Sequence, residues 1–564
     1  MIIVRMIMFF SKLPVFRNSS VSSFQRTLLA ALLAALCALG TSGCGKRESA
    51  VSQATRDGIF LFDNGTEPRD LDPHLVTGLP EHRIIKSILE GLVAEHPSDS
   101  NQVVPGVAES WEHNDDASIW TFHLRENAKW SNGDPVTAGD FQYAYQRMLN
   151  PELGAPYAEM LSVIKGATPY NRGELTDWNE VGVKAVDAHT LRLELVGPTA
   201  YFPLMLTHYS FFPVHRPTIE KFDAFARRAS GWTRAGNFVG NGPFVLTEWL
   251  PNQRIVVEKS PTYWDAGAIK LKAVHFFPFQ DRQMGMRAYL AGQLHKTDGV
   301  PFNQRDQMRE QRPEEMREDP FFATSYMGIN VRRKALQDSR VRRALAMAID
   351  FNRITTQVTK NGRAADGFVP PGVADYPYQD YFDYDPAAAR ELLAEAGHPG
   401  GEGLPVLSFI TVASDTSKTF AEVVQNMWRE ELGVEIQIEN KEWQVLLADM
   451  DEGNFDFFLL SWIGDYVDPA AFLKIMKTGS GNNHSGYADP AYDALLDEAA
   501  RTADVKERLQ LLGQAEARLM DAMPIIPATW NRLLYLLHPD VHGWPTQKLL
   551  DDFSYKSLSL EAAE

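Results

Sequence analysis

The chain has 564 residues, too many for one compact core, and 44% of them are hydrophobic, enough to fill two or more. Lysine and arginine total 55 against 73 aspartates and glutamates, and the resulting net charge of −18 argues against nucleic acid as a partner. The only cysteines, Cys37 and Cys44, lie near the N-terminus, so the body of the chain has no disulfide framework.

Residues 1–43 read as a secretory targeting segment. Arg17 and Arg26 precede an apolar run, residues 28–39, too short to span a bilayer but of the right length for a signal core. Met8 is a second candidate start. The segment ends in Thr41, Ser42 and Gly43 before Cys44, which resembles the lipobox of bacterial lipoproteins, with Thr41 where leucine is usual. Cleavage there would leave Cys44 as the lipid-anchored first residue; an ordinary signal cut elsewhere is the competing reading. Residues 44–56 are polar and read as a flexible tether, with the globular body starting near Asp57.

Further along, Trp120, Phe122 and Leu124 alternate with Thr121 and His123, the period of a half-buried strand. Asn132 and Gly133 mark a turn. Thr137 with Asp140 predicts a capping box, and Asp385 before Pro386 predicts a helix start that Gly397 closes. The run FDFFLLSWIGDYVDP, residues 455–469, is the most telling stretch. An almost unbroken apolar strand ends at Trp462 and delivers Asp465 between Trp462 and Tyr466. A carboxylate at the mouth of a hydrophobic element is costly unless a cation meets it. A free peptide, with an ammonium group at one end and apolar side chains beyond, fits that description. Asp465 reads equally well as a solvated turn residue or a helix N-cap.

The order and wording of several segments decide between these readings: NGTEPRDLDPHLVTGLPEH at 64–82, PGVAESWEHNDDASIWTFHLRENAKWSNGDPVTAGDF at 105–141, GNGPFVLTEW at 240–249, EKSPTYWD at 258–265, DSRVRRALAMAIDFNRI at 338–354 and LGVEIQIENKEW at 432–443. The chain resembles the periplasmic oligopeptide-binding proteins of peptide ABC transporters, solute-binding protein family 5, from about residue 57 to 555. The resemblance implies an α/β, two-lobed periplasmic-binding-protein-like fold of type II, in its large three-domain variant, with a ligand cleft between the lobes. Lobe I would combine 57–92, 216–297 and 531–564, with an inserted domain at 93–215; lobe II would be 298–530. Crossings between lobes are expected near residues 299–302 and 529–532. The implied function is capture of oligopeptides by a monomeric periplasmic lipoprotein for an inner-membrane ABC permease, without metal or cofactor. The implied site is Asp465 for the ligand's amino group, with Ser461, Trp462, Ile463, Gly464 and Tyr466 around it and Trp443 beside a side-chain pocket. Thr77, Gly78 and Leu79 would pair with the ligand as an added strand, and Tyr157, His208, Asn241 and Gly242 would lie nearby.

At two places where relatives carry arginines able to meet a peptide's carboxylate, this chain has Met450 and Leu459. The expectation is a site with no fixed cation and no sharp preference for one peptide length. The fold also serves other solutes, among them murein peptides, dipeptides, haem and nickel chelates. An enzyme is disfavoured: HExxH, a P-loop, a GxSxG elbow outside the signal region and a cysteine for thiol catalysis are all missing from the sequence.

Overall fold

A computed structural model describes residues 48–562, apart from residues 547 and 552; the signal segment and Cys44 lie outside them. The latter part of the expected tether is not a flexible leash. Ala50–Asp57 form a helix whose Val51, Ala54 and Thr55 fall at the i, i+3, i+4 spacing and are buried. Val51 N–H donates to the Gly292 carbonyl at 3.0 Å, and the Thr55 hydroxyl donates to Asp540 at 3.0 Å. The folded body therefore begins at Ala50 rather than near Asp57. The polar composition of the segment hid a narrow face of small buried residues.

Three larger sheets organise the described residues. The first has strands Ile59–Asp63, Ala273–Phe277, Arg254–Lys259 and Phe244–Leu250 in that order, the first pair parallel. The second is antiparallel and runs Ala108–His113, Ile119–Leu124, Thr190–Glu194, Val183–Ala185. The third has six strands in the order Arg363–Ala364, Ile525–Leu536, Met316–Ile329, Phe457–Ile463, Leu407–Val412, Ile436–Lys441.

The local signals act as their chemistry requires. Trp120, Phe122 and Leu124 are buried on one face of Ile119–Leu124. Thr137 N–H donates to the Asp140 carboxylate at 2.8 Å at the start of helix Ala138–Leu149. Asp385 accepts from the N–H groups of Ala387 and Ala388, and Gly397 follows the end of the same helix at a φ of +92°, where a side chain would be strained.

The chain passes between the first and third sheets along two segments that lie side by side. Lys296 bridges Phe62 on one side and Leu537 on the other. Thr297 and Val300 N–H groups donate to the carbonyls of Leu536 and Leu534, each at 3.0 Å. Met316, Leu534 and Leu536 pack in one cluster with Leu61, Met286 and Leu294, so these strand ends belong with the first sheet. Between Pro320 and Thr324 the register of the two long strands shifts, and from there they run on as the centre of the six-stranded sheet.

Candidate ligand-binding cleft

Strand Phe457–Ile463 is covered unequally on its two edges. Along one it pairs with Met316–Ile329 for its whole length, from Ile329 opposite Phe457 to Ala323 opposite Ile463. Along the other, Leu407–Val412 pairs only at Phe409 with Phe457 and Ile410 with Phe458. Beyond Phe458 that edge has no ladder partner among the described residues, which leaves backbone donors and acceptors facing open space. Exposure follows: Phe457 and Phe458 are buried, Ser461 and Ile463 exposed.

Two cavities meet across this strand end. One of about 440 Å³ is lined by Thr77, Gly78, Tyr157, His208, Trp462, Gly464 and Asp465 among others. The other, about 560 Å³, is lined by Trp443, Leu459 and Leu460 with Leu79, Arg83 and Arg282 among others. Leu79, Phe321, Ser461 and Ile463 line both, so the two form one cleft of the size that small ligands occupy.

Asp465 lies two residues past the strand, half-buried in the smaller cavity. Among the described residues its carboxylate makes no hydrogen bond or ion pair. Burial, with a lesser push from the Glu159 carboxylate, raises its pKa to about 7. Glu159 and Asp551 line the same cavity, whose walls contain no lysine or arginine. Asp551 is held by Arg83, which leaves Asp465 and Glu159 as the acids without a lysine or arginine partner among the described residues and makes this end of the cleft a place for a cation.

The opposite wall is aromatic. Tyr157 and His208 meet edge to face with ring centroids 4.7 Å apart, and His208 lies 4.3 Å from Tyr209. The Tyr209 hydroxyl donates to the Val76 carbonyl at 2.8 Å and so ties down the loop that presents Thr77 and Gly78. Gly78 is extended, at φ −93° and ψ 152°, and Leu79 opens the helix Leu79–Ile88. Only Thr77 and Gly78 of the expected added-strand segment are therefore free of helix. Trp462 Nε1–H donates to the Ala471 carbonyl at 2.8 Å, fixing its ring beside Asp465. Trp443 is 44% exposed at the start of helix Trp443–Glu452.

Three of the expected residues stand elsewhere. Tyr466 is buried, stacked on Tyr201 at 5.9 Å, and borders a side pocket of about 170 Å³ that Asp465 and Glu159 share. Asn241 accepts from Glu90 N–H at 3.0 Å and donates to the Glu90 carbonyl at 2.9 Å, while Gly242 N–H donates to the Ile88 carbonyl at 3.0 Å. Neither Asn241 nor Gly242 lines the two cavities; both hold the chain leaving helix Leu79–Ile88. Glu159 and three of the four arginines of the larger cavity, Arg282, Arg305 and Arg532, carry no motif that would mark them in the sequence. Their positions come from three separate parts of the chain.

The family model for bacterial extracellular solute-binding proteins, family 5, matches residues 102–484. The chain belongs to this family. It is 34% identical over 556 residues to the periplasmic oligopeptide-binding protein OppA of Salmonella typhimurium, covering 95% of this chain and 98% of that protein. Among solved structures, the Escherichia coli murein tripeptide binding protein MppA superposes with a TM-score of 0.78 at 33% identity, over 90% of this chain and 99% of that one. Haemophilus influenzae OppA, solved in complex with the peptide RPPGFSPFR, gives a TM-score of 0.75 at 28% identity, over 89% and 99% of the two chains. The two-lobed α/β binding-protein fold is thus the fold of this chain, and the family is one of solute-binding proteins.

Proposed function

We propose that this protein is an extracytoplasmic receptor that captures oligopeptides in the cleft between its lobes and hands them to an ABC transporter permease. The observation that carries the reading is the unpartnered Asp465 carboxylate, set at the end of a strand whose free edge faces the cleft. An extended peptide adds to such an edge through main-chain hydrogen bonds, each with a net worth of about 0.5 to 1.5 kcal/mol and none dependent on side-chain identity. Its α-ammonium then meets Asp465, and its side chains fall on alternate sides, toward Trp462 and toward Trp443.

The anchor reading rests on Cys44: acylation there would hold the receptor at a membrane as a lipoprotein in the periplasm, working as a monomer. Relatives that bind oligopeptides and murein tripeptide support a peptide ligand without fixing its sequence. Native mass spectrometry of the protein purified without denaturation tests the reading. Co-purifying peptides that dissociate on unfolding are the expected result; a non-peptide solute at full occupancy would replace the proposal.

A further inference from the structure

The aromatic wall of the cleft and the sheet that carries Asp465 also touch at a place away from the ligand cavities. On the side of the wall stands a hairpin, strands Val93–Glu95 and Val103–Pro105. Lys86, on helix Leu79–Ile88, donates to Glu95 and to the carbonyl of Thr207, the neighbour of His208, at 2.9 Å, so the hairpin is fixed to that wall. Its tip is stiff. Asp99 Oδ1 accepts from Asn101 N–H at 2.9 Å, and His96 Nδ1 accepts from Asp99 N–H at 3.1 Å.

On the side of the six-stranded sheet, residues 366–378 form neither helix nor strand, yet they are held at many points. Thr324 Oγ1–H donates to the Phe368 carbonyl at 2.8 Å, and Trp530 Nε1–H to the Gly367 carbonyl at 3.1 Å. The buried Glu516 carboxylate accepts from Phe368 and Val369 N–H, each at 2.8 Å, and from the Tyr376 hydroxyl at 2.6 Å. The Tyr378 hydroxyl donates to the Pro370 carbonyl at 2.9 Å and accepts from Val373 N–H at 3.0 Å. This framework sets the Gly372 carbonyl and the Ala374 N–H as an acceptor and a donor two residues apart. The side-chain amide of Asn101 matches both: it donates to Gly372 at 3.1 Å and accepts from Ala374 at 3.2 Å. Gly372 stands at a φ of +125°, and a Cβ there would lie 2.5 Å from Leu549 Cδ1, so the seat needs glycine for its turn and for room.

Leu549 carries the contact inward. Its N–H donates to Ser100 Oγ at 3.1 Å, and its carbonyl accepts from Phe322 N–H. The Phe322 carbonyl in turn accepts at 2.9 Å from the N–H of Gly464, the residue before Asp465.

We infer that Asn101 is a latch: seated on Gly372 and Ala374, its amide holds the cleft closed and prolongs the stay of a bound ligand. The inference rests on capture of a ligand in this cleft and goes beyond it, because Asn101, Gly372 and Ala374 line neither cavity. A contact that exists only while the two sides are together stabilises the closed state alone, so it slows release and leaves encounter untouched. It is also blind to the ligand's side chains, since both of its partners on the loop are backbone groups.

Stopped-flow tryptophan fluorescence of the full chain with trialanine to hexaalanine tests the latch, with Trp443 and Trp462 in the cleft as reporters. At the best-binding length, Asn101→Ala is expected to raise the dissociation rate by about three- to tenfold, the loss of one or two hydrogen bonds, and to leave the association rate within about twofold. Asn101→Asp, which keeps the acceptor for Ala374 and loses the donor to Gly372, is expected to fall between. An unchanged dissociation rate in Asn101→Ala, or a loss confined to the association rate, would overturn the latch and leave the peptide reading intact. If none of these peptides binds, the peptide reading falls and small-angle scattering of the unliganded protein decides the latch: a larger radius of gyration in Asn101→Ala supports it, and equal radii would overturn it.

Discussion

Glu159, in the short helical segment Ala158–Val163, and Asp465, two residues past strand Phe457–Ile463, line the same cavity and the same side pocket. The two carboxylates come from opposite sides of the cleft, and the charge of Glu159 adds to burial in raising the Asp465 pKa to about 7. An empty cleft therefore holds Asp465 half-protonated near neutrality, and a bound ammonium group draws that proton off.

Binding should depend on pH with a definite sign. Asp465 must be ionised to pair with the ligand, and with a pKa of about 7 its ionised fraction falls from ~0.9 at pH 8 to ~0.1 at pH 6. Affinity for a free-amine peptide should drop by about fourfold over that interval, because the ligand's α-amino group, with a pKa of about 7.7–8.0, gains its proton as Asp465 loses its charge. Glu159→Gln should move the midpoint to lower pH. Calorimetry across this range in two buffers of different ionisation enthalpy also reads the released proton directly.

Lobe closure should weaken when the contact made by Tyr201 is removed. Tyr201 stacks on Tyr466 at 5.9 Å with the rings 15° from parallel, and Arg508 lies over its face at 3.9 Å. Such contacts contribute about 1–2 kcal/mol. Tyr201→Ala should increase the radius of gyration of the unliganded protein in small-angle scattering and weaken peptide binding by up to roughly tenfold, with saturating peptide restoring the compact form.

Arg147 should be the costliest single side chain to lose in the first half of the chain. It is fully buried, donates to both oxygens of Asp72 at 2.9 and 2.6 Å and to the Ala224 carbonyl at 3.1 Å, and lies 2.8 Å from His74 Nδ1. Burial and the adjacent guanidinium push the His74 pKa down to about 3, so the imidazole stays neutral. Arg147→Ala leaves Asp72 buried without its partner, at a cost of about 3–5 kcal/mol. Urea unfolding should show a correspondingly lower midpoint.

Cys44→Ser tests the anchor. If Cys44 is acylated, each buried methylene of its chains contributes about 0.8 kcal/mol to membrane attachment. The substitution should move the protein from the membrane pellet to the soluble periplasmic fraction.

Much of the fold was legible because its signals are local. The alternation of Trp120, Phe122 and Leu124, the Thr137 capping box and the Asp385-Pro386 helix start each depend on a few consecutive residues, and each recurs in the structure. Asp465 stood out for the same reason, an acid delivered by an apolar strand. The helix Ala50–Asp57 was missed because its buried face consists of Val51, Ala54 and Thr55, too small and mixed to register as amphipathic. Asn241 and Gly242 looked like site residues because their segment matches the family, yet their hydrogen bonds go to Glu90 and Ile88. The arginine end of the cleft was illegible in principle. Positions 282, 305 and 532 are brought together only by the side-by-side crossings of the chain, and no spacing along the sequence records that closure.

The central claim is that Asp465 holds the ligand's α-ammonium, and a double comparison by calorimetry tests it most directly: a free-amine peptide and its N-acetylated form, each titrated into wild-type protein and Asp465→Asn. The account predicts that the substitution weakens the free-amine peptide by about 2–5 kcal/mol, changes the acetylated one by less than about threefold, and removes the fall in affinity from pH 8 to pH 6. Equal losses for both peptides, or an unchanged affinity for the free amine, would contradict it.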